Sequence, residues 1–250
     1  MIYPETIEEV IVALNDIIEK SKIQSSRMGY FPALYKRVTE EVKNKIEEGY
    51  FDDAERMEQL DIIFANRYLK AYHQYMDGDT CTNSWKLTFD VAKYWKPSVI
   101  QHLFLGMNAH ISLDLGIAAA LVCPGEDIEK LHNDFNKINE ILASLVDKVQ
   151  RELATIWPPF KLFDFMSGKF DEALADFGME IARDAAWKVA LEYAFLDENG
   201  KQEFLEKRDE IVTNFGRKLY KPGWPLGTLL LIIRLTELGT VNSKIKKLNK

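Results

Sequence analysis

The stretch from Gln101 to Gly116 reads QHLFLGMNAHISLDLG, and the rest of the chain is best read outward from it. At about 3.6 residues per turn, His102, Gly106, His110, Leu113 and Ile117 share one broad helix face, with Asp114 at its edge. Two of the chain's four histidines fall here, in surroundings that are otherwise apolar. Burying a polar group without a partner costs roughly 2–7 kcal/mol, so these side chains must be answered from inside the fold. Gly106, Ala109 and Gly116 are small enough to let a neighbouring helix come close. Pro97 opens the segment and Pro124–Gly125 closes it. A central buried helix near residues 98–123 is therefore expected.

Helical periodicity continues on both sides. Thr6 and Glu9 form a capping box ahead of Ile7, Val10, Ile11 and Leu14. A second helix begins near Pro32 and stops at Gly49, and a third carries Met57, Leu60, Phe64, Tyr68, Ala71 and Tyr75 on one stripe. A short helix holds Trp85 and Phe89, and a long one runs from about Glu126 to Ile156. Helices near 169–196 and 201–220 follow, then a last one from Pro225. No alternating strand pattern, linker or internal repeat competes with these. The expected architecture is all-α, one domain of about eight helices over residues 1–250.

Composition narrows the function classes. The chain is 47% hydrophobic and 28% charged, with a net charge of −7, which argues against a nucleic-acid binder and its basic face. Cys81 and Cys123 have no metal-ligand spacing and fit a reducing compartment. The N-terminal MIYPETIEEV lacks the basic and apolar regions of a secretory signal. The longest apolar runs, Leu115–Cys123 and Leu229–Ile233, fall short of the ~20 residues of a spanning helix. No transmembrane segment and a cytoplasmic location are expected. The terminal Lys244, Lys246, Lys247 and Lys250 read as a frayed, solvated end rather than a contact for an anionic surface.

The candidate chemistry lies in polar residues on inward faces. Asp184 projects into a stripe of Phe170, Leu174, Phe177, Ile181, Leu191 and Phe195, with Glu180 one turn earlier. His110 and Asp114, at i and i+4, can share one ion, and His102, Glu180 and Asp184 would complete a mixed nitrogen and oxygen set suited to Zn, Fe or Mn. No HExxH motif or paired ExxH motif supports this. Without a metal, Asp114 could orient His110 as a general base, with Arg67 or Arg183 holding a substrate anion. No GxSxG elbow and no glycine-rich phosphate cradle occurs. Two readings stand. One is a metal-dependent enzyme acting on a small or lipid-like molecule. The other is a non-catalytic helical module, binding a small apolar or anionic ligand or a partner, whose His, Asp and Arg residues form a buried network.

Several blocks resemble a bacterial family known as domain of unknown function 5995: GYFPALYKRVT (29–39), RMEQLDIIFANRYLKAY (56–72), QHLFLGMNAHISLDLGIA (101–118), DFNKIN (134–139) and ARDAAW (182–187). The resemblance covers roughly residues 29–190, and LGMNAHIxxDL is its most specific part. It implies a helical domain and no assigned reaction. Carried over by position, it singles out Asp61, Arg67, His102, Asn108, His110, Asp114, Asp134, Asn139, Arg183 and Trp187.

Overall fold

Ser98 starts the central segment. Its hydroxyl accepts from Gln101 N while Gln101 Oε1 accepts from Ser98 N, a reciprocal cap that satisfies two orphan donors. In the computed structural model, which describes residues 3–158 and 179–250, a continuous rod runs from Val99 to Val122. It has three parts: α5 (Val99–Ala109), a π-helical turn (His110–Leu115) and α6 (Gly116–Val122). By length and composition the 24-residue rod could cross a membrane, with a mean hydropathy of 1.4, yet 78% of its most apolar window is buried inside the protein. His102, Asn108, His110 and Asp114 interrupt its apolar residues, so along the sequence it falls into separate short runs.

The other helices surround this rod. Before it come α1 (Ile7–Ile23), α2 (Tyr30–Glu47), α3 (Ala54–Asp77) and α4 (Asn83–Ala92). After it come α7 (His132–Ile156), α8 (Met179–Tyr193), α9 (Glu198–Tyr220), α10 (Leu226–Thr236) and α11 (Val241–Leu248). Among the described residues there are eleven α-helices and no strand, an all-α single domain that roughly matches the about eight helices expected. The division of the rod at the π turn and of the C-terminus into two pieces raises the count.

α2, α4 and α9 pack on α5, α3 and α8 pack on α6, and α3, α8 and α9 reach the π turn. Two glycines make this possible. A Cβ on Gly106 would lie 2.4 Å from the Phe31 ring, and one on Gly116 would lie 2.4 Å from the carbonyl oxygen of Ala186. Gly116 thus admits the backbone of α8 itself, through a face made of Ala182, Arg183, Ala186, Val189, Ala190 and Tyr193. That face differs from the expected stripe. Asp184 is exposed, not central, and Phe195 is 63% exposed. The contact selects small alanines, whereas a stripe drawn through large apolar residues lands about one position away. Phe170, Leu174 and Phe177, with the side chains of Asn139, Glu180 and Ile181, lie outside the described residues.

The expectation for Lys244 is also corrected. α11 inserts Ile245 and Leu248 beside Ile18, Tyr30, Leu34 and Leu103. Lys244, only 2% exposed, donates to Glu237 Oε2 at 2.6 Å, and Glu237 Oε1 accepts from Val99 N at 2.6 Å. A buried lysine needs such a carboxylate partner. The segment expected to fray therefore holds the carboxylate that caps the central rod.

Candidate functional site

The π turn sits on the most specific block of the sequence. A π turn shifts backbone hydrogen bonding from i→i+4 to i→i+5, and such turns are frequent at functional sites. It leaves backbone groups to be satisfied from elsewhere. One is answered by Arg208 of α9, whose Nε donates to Ser112 O at 2.8 Å. Asn108 Nδ2 makes a second tie to α9, donating to Val212 O at 2.9 Å.

Within this turn Asp114 and His110 are both almost fully buried. Asp114 Oδ1 accepts from Arg67 Nε at 2.8 Å, and Oδ2 accepts from Trp85 Nε1 at 2.8 Å. His110 Nδ1 lies 3.5 Å from Asp114 Oδ2. Burial acts to raise the Asp114 pKa, but Arg67, His110 and Trp85 outweigh it and hold the carboxyl below its usual value. For His110 burial wins over the neighbouring carboxylate, so its pKa is lowered and the imidazole is neutral at pH 7. Aromatic rings enclose it: Phe64 lies parallel with ring centroids 3.5 Å apart, Tyr35 meets it edge-on at 4.4 Å, and Phe31, Trp85 and Tyr68 lie within 6.2 Å. Neither ring nitrogen has a hydrogen-bond partner.

The expected metal set is distributed differently. His102 lies eight residues before His110, about 12 Å along the helix at 1.5 Å per residue. It faces Tyr30 with ring centroids 5.6 Å apart, and burial, with Arg27, Arg234 and Lys244 nearby, lowers its pKa to about 3. Asp184 is exposed, and the Glu180 side chain lies outside the described residues. Both Asp114 oxygens are already engaged by donors. Among the described residues, no group of three or more His, Cys, Asp or Glu side chains is gathered closely enough to hold a metal ion.

Behind the His110 cage, Tyr35 and Phe64 also line a cavity of about 50 Å³ between α2, α3, α7 and α8. A single water needs roughly 10–15 Å³ of such space, so several water-sized groups fit. Most of its wall is apolar, including Val38, Val42, Met57, Leu60 and Phe135, but Asp61 and Arg183 also face it. Burial, with a smaller push from Glu58, raises the Asp61 pKa to about 7. Arg183 packs its guanidinium 4.5 Å from the centre of the Phe135 ring and donates through Nη2 to the Phe135 carbonyl. Burial lowers its pKa to about 10, which leaves it cationic at neutral pH. Asp61 Oδ2, Arg183 Nε and the Tyr35 hydroxyl, all buried, have no hydrogen-bond partner.

Other positions singled out from the sequence have structural duties. Asp134 is fully buried and accepts from Asp52 N at 2.7 Å and Asp53 N at 3.0 Å, which anchors the start of α3. Trp187 stacks on His132 with centroids 4.6 Å apart. Sequence reasoning missed Trp85, Tyr35, Phe64 and Arg208. Trp85 and Phe64 sat on recognisable stripes but read as plain core, and nothing in a sequence pattern signals an arginine that satisfies a π-turn carbonyl.

Comparison with known proteins agrees with this picture at the level of family. No curated protein and no solved structure gives a significant match. A family described as a family of unknown function (DUF5995) matches residues 7–222, further in both directions than the resemblance read from the sequence. The chain belongs to this family of unknown function.

Proposed function

We propose that this domain is a helical ligand-binding module, and that its ligand is a small, mainly apolar molecule carrying a carboxylate or carbonyl group. The observation that carries the reading is that three of the residues lining one mostly apolar cavity, Asp61, Arg183 and Tyr35, each hold a buried polar atom without a hydrogen-bond partner. An apolar pocket with a few convergent polar groups and a perturbed carboxyl is the usual form of a small-molecule site. Arg183 would take the ligand's acceptor oxygen. A protonated Asp61 would donate a second hydrogen bond, and the aliphatic wall would receive the chain. In this reading Arg67, Asp114, Trp85 and His110 are the rigid partition behind the site. They are not its reacting groups, because their polar atoms are bonded to one another or enclosed by rings.

Thermal denaturation with a series of straight-chain carboxylates, from acetate to decanoate, tests the proposal. A ligand present at a hundred times its Kd adds roughly 2.7 kcal/mol of stability. Tm should rise for one narrow range of chain length, and Arg183→Met should remove the rise. If Arg183→Met does not fold, Asp61→Ala serves in its place. The absence of any stabilisation across the series would oppose the reading.

A further inference from the structure

We infer that the C-terminal segment around α10 is a docking surface for anionic lipid bilayers, independent of the internal cavity. Eight of the 32 basic residues but only one of the 39 acidic residues fall within residues 217–250, which gives this segment +7 against −14 for residues 1–216. The single acid, Glu237, is buried and bonded to Lys244 and Arg234, so it presents little negative charge outward. Lys244 is buried with Glu237, so the exposed basic residues of this segment are Arg217, Lys218, Lys221, Lys246 and Lys250, with Lys247 half-buried, in a chain that is otherwise strongly acidic.

That end also exposes apolar surface where a soluble helix normally places polar residues. α10 reads LGTLLLIIRLT. Leu230 and Ile233 pack inward with Trp157, while Leu231, Ile232 and Leu235 face outward at helical spacing, followed by Leu238. Leu235 is 65% exposed and Trp224, just before the helix, is 87% exposed. Arg234 Nε donates to Trp95 O at 2.5 Å, which brings the half-exposed Trp95 beside the helix. Tyr94 stacks on Tyr220, whose ring lies 5.2 Å from Lys221 Nζ. Outward leucines with tryptophan, tyrosine and lysine beside them match the chemistry of a bilayer interface. The aliphatic side chains enter the acyl boundary, aromatic rings sit at headgroup depth, and cations meet anionic phosphates. The surface falls mostly beyond residue 222, where the family match ends.

Flotation with the full chain decides the matter, using vesicles of phosphatidylcholine alone and of phosphatidylcholine mixed with phosphatidylserine. The wild type should float with the anionic vesicles and scarcely with the neutral ones. The triple variant Leu231→Gln, Ile232→Gln, Leu235→Gln changes only exposed side chains and should lose flotation while keeping its circular dichroism and Tm. Lys218→Glu with Lys221→Glu should weaken partitioning by roughly tenfold or more, and added salt should do the same. Equal flotation of the wild type and the triple variant, or no preference for anionic vesicles, would overturn the inference. So would a dimer that does not float and is lost in the triple variant, since that result assigns the face to a second copy of the chain.

Discussion

Arg67 and Asp114 meet through an Nε to Oδ1 hydrogen bond of 2.8 Å that ties α3 to the π turn of the central rod. The second oxygen of Asp114 is held by Trp85 of α4, so one buried carboxylate joins three elements. Breaking such a pair from one side leaves an uncompensated buried charge, which costs about 3–5 kcal/mol. Arg67→Met should lower unfolding stability by that amount in urea titration. Trp85→Phe should cost less, about 1.5–3 kcal/mol, because it removes one hydrogen bond to a charged group. Unchanged midpoints in both variants would mean that the network does not hold the rod in place.

Asp61 sets an unusual pH dependence. Its folded pKa, about 7, lies above the ordinary value of 3.8. Between these values the folded state binds the proton and the unfolded state does not, so this contribution is full below pH ~4 and is lost as pH rises through 7. Roughly 4 kcal/mol is involved over three pH units. Asp61→Asn should therefore gain stability relative to wild type as pH rises from 5 to 8. Parallel pH profiles for the two proteins would count against a buried, unpaired carboxyl.

His102 acts in the opposite direction. Its folded pKa is lowered from 6.5 to about 3, so below pH ~6.5 only the unfolded chain takes the proton. Stability is lost as pH falls from 6.5 towards 3. His102→Gln should flatten this acid limb of a stability profile measured by urea denaturation, and an unaltered limb would show that His102 is not buried neutral.

The location of the polar cluster was legible in LGMNAHISLDLG, because polar side chains in an apolar helix require partners wherever the helix packs. Its backbone was not. A π turn moves hydrogen bonds by one residue and leaves the hydrophobic period almost unchanged, so an α-helical wheel misplaces Asp114 only slightly and gives no warning. The exchange of Asp184 for Arg183 as the inward residue has the same scale, one position, and follows from packing through alanine at Gly116. Asp61 and Arg183 appeared among the residues drawn from the family resemblance, but their meeting at one cavity depends on how α3 and α8 converge in space. Lysines near a terminus look solvated in any sequence. Only the position of Glu237 shows that Lys244 is not.

Close helix approach makes a sharp contrast among glycines. Gly116→Ala would press a Cβ against the Ala186 backbone, which cannot swing away, and overpacking of this kind costs typically 1–3 kcal/mol or more. Gly227 has open space where its Cβ would be, so Gly227→Ala in α10 should be neutral or slightly stabilising. Thermal denaturation of both variants checks the difference, and equal Tm values would deny the close contact of α6 with α8.

The C-terminal helix should matter to the whole fold. Lys244→Ala removes one of the two cations bonded to the buried Glu237 and leaves Arg234, so the loss should fall below the ~3–5 kcal/mol of a buried pair broken outright. Hydrogen exchange should then show faster opening at the start of α5, where Glu237 accepts from Val99 N. A variant as stable as wild type would return the lysines to the role of a solvated tail.

The most direct test of the ligand-binding account is native mass spectrometry of freshly purified protein, with Val42→Phe alongside to fill the cavity that Val42 lines. The account expects the wild type to carry a small molecule of defined mass, released by organic solvent and absent from the folded Val42→Phe protein. A small molecule retained equally by both proteins, or a wild type that carries none and takes up none of the carboxylates, would contradict it.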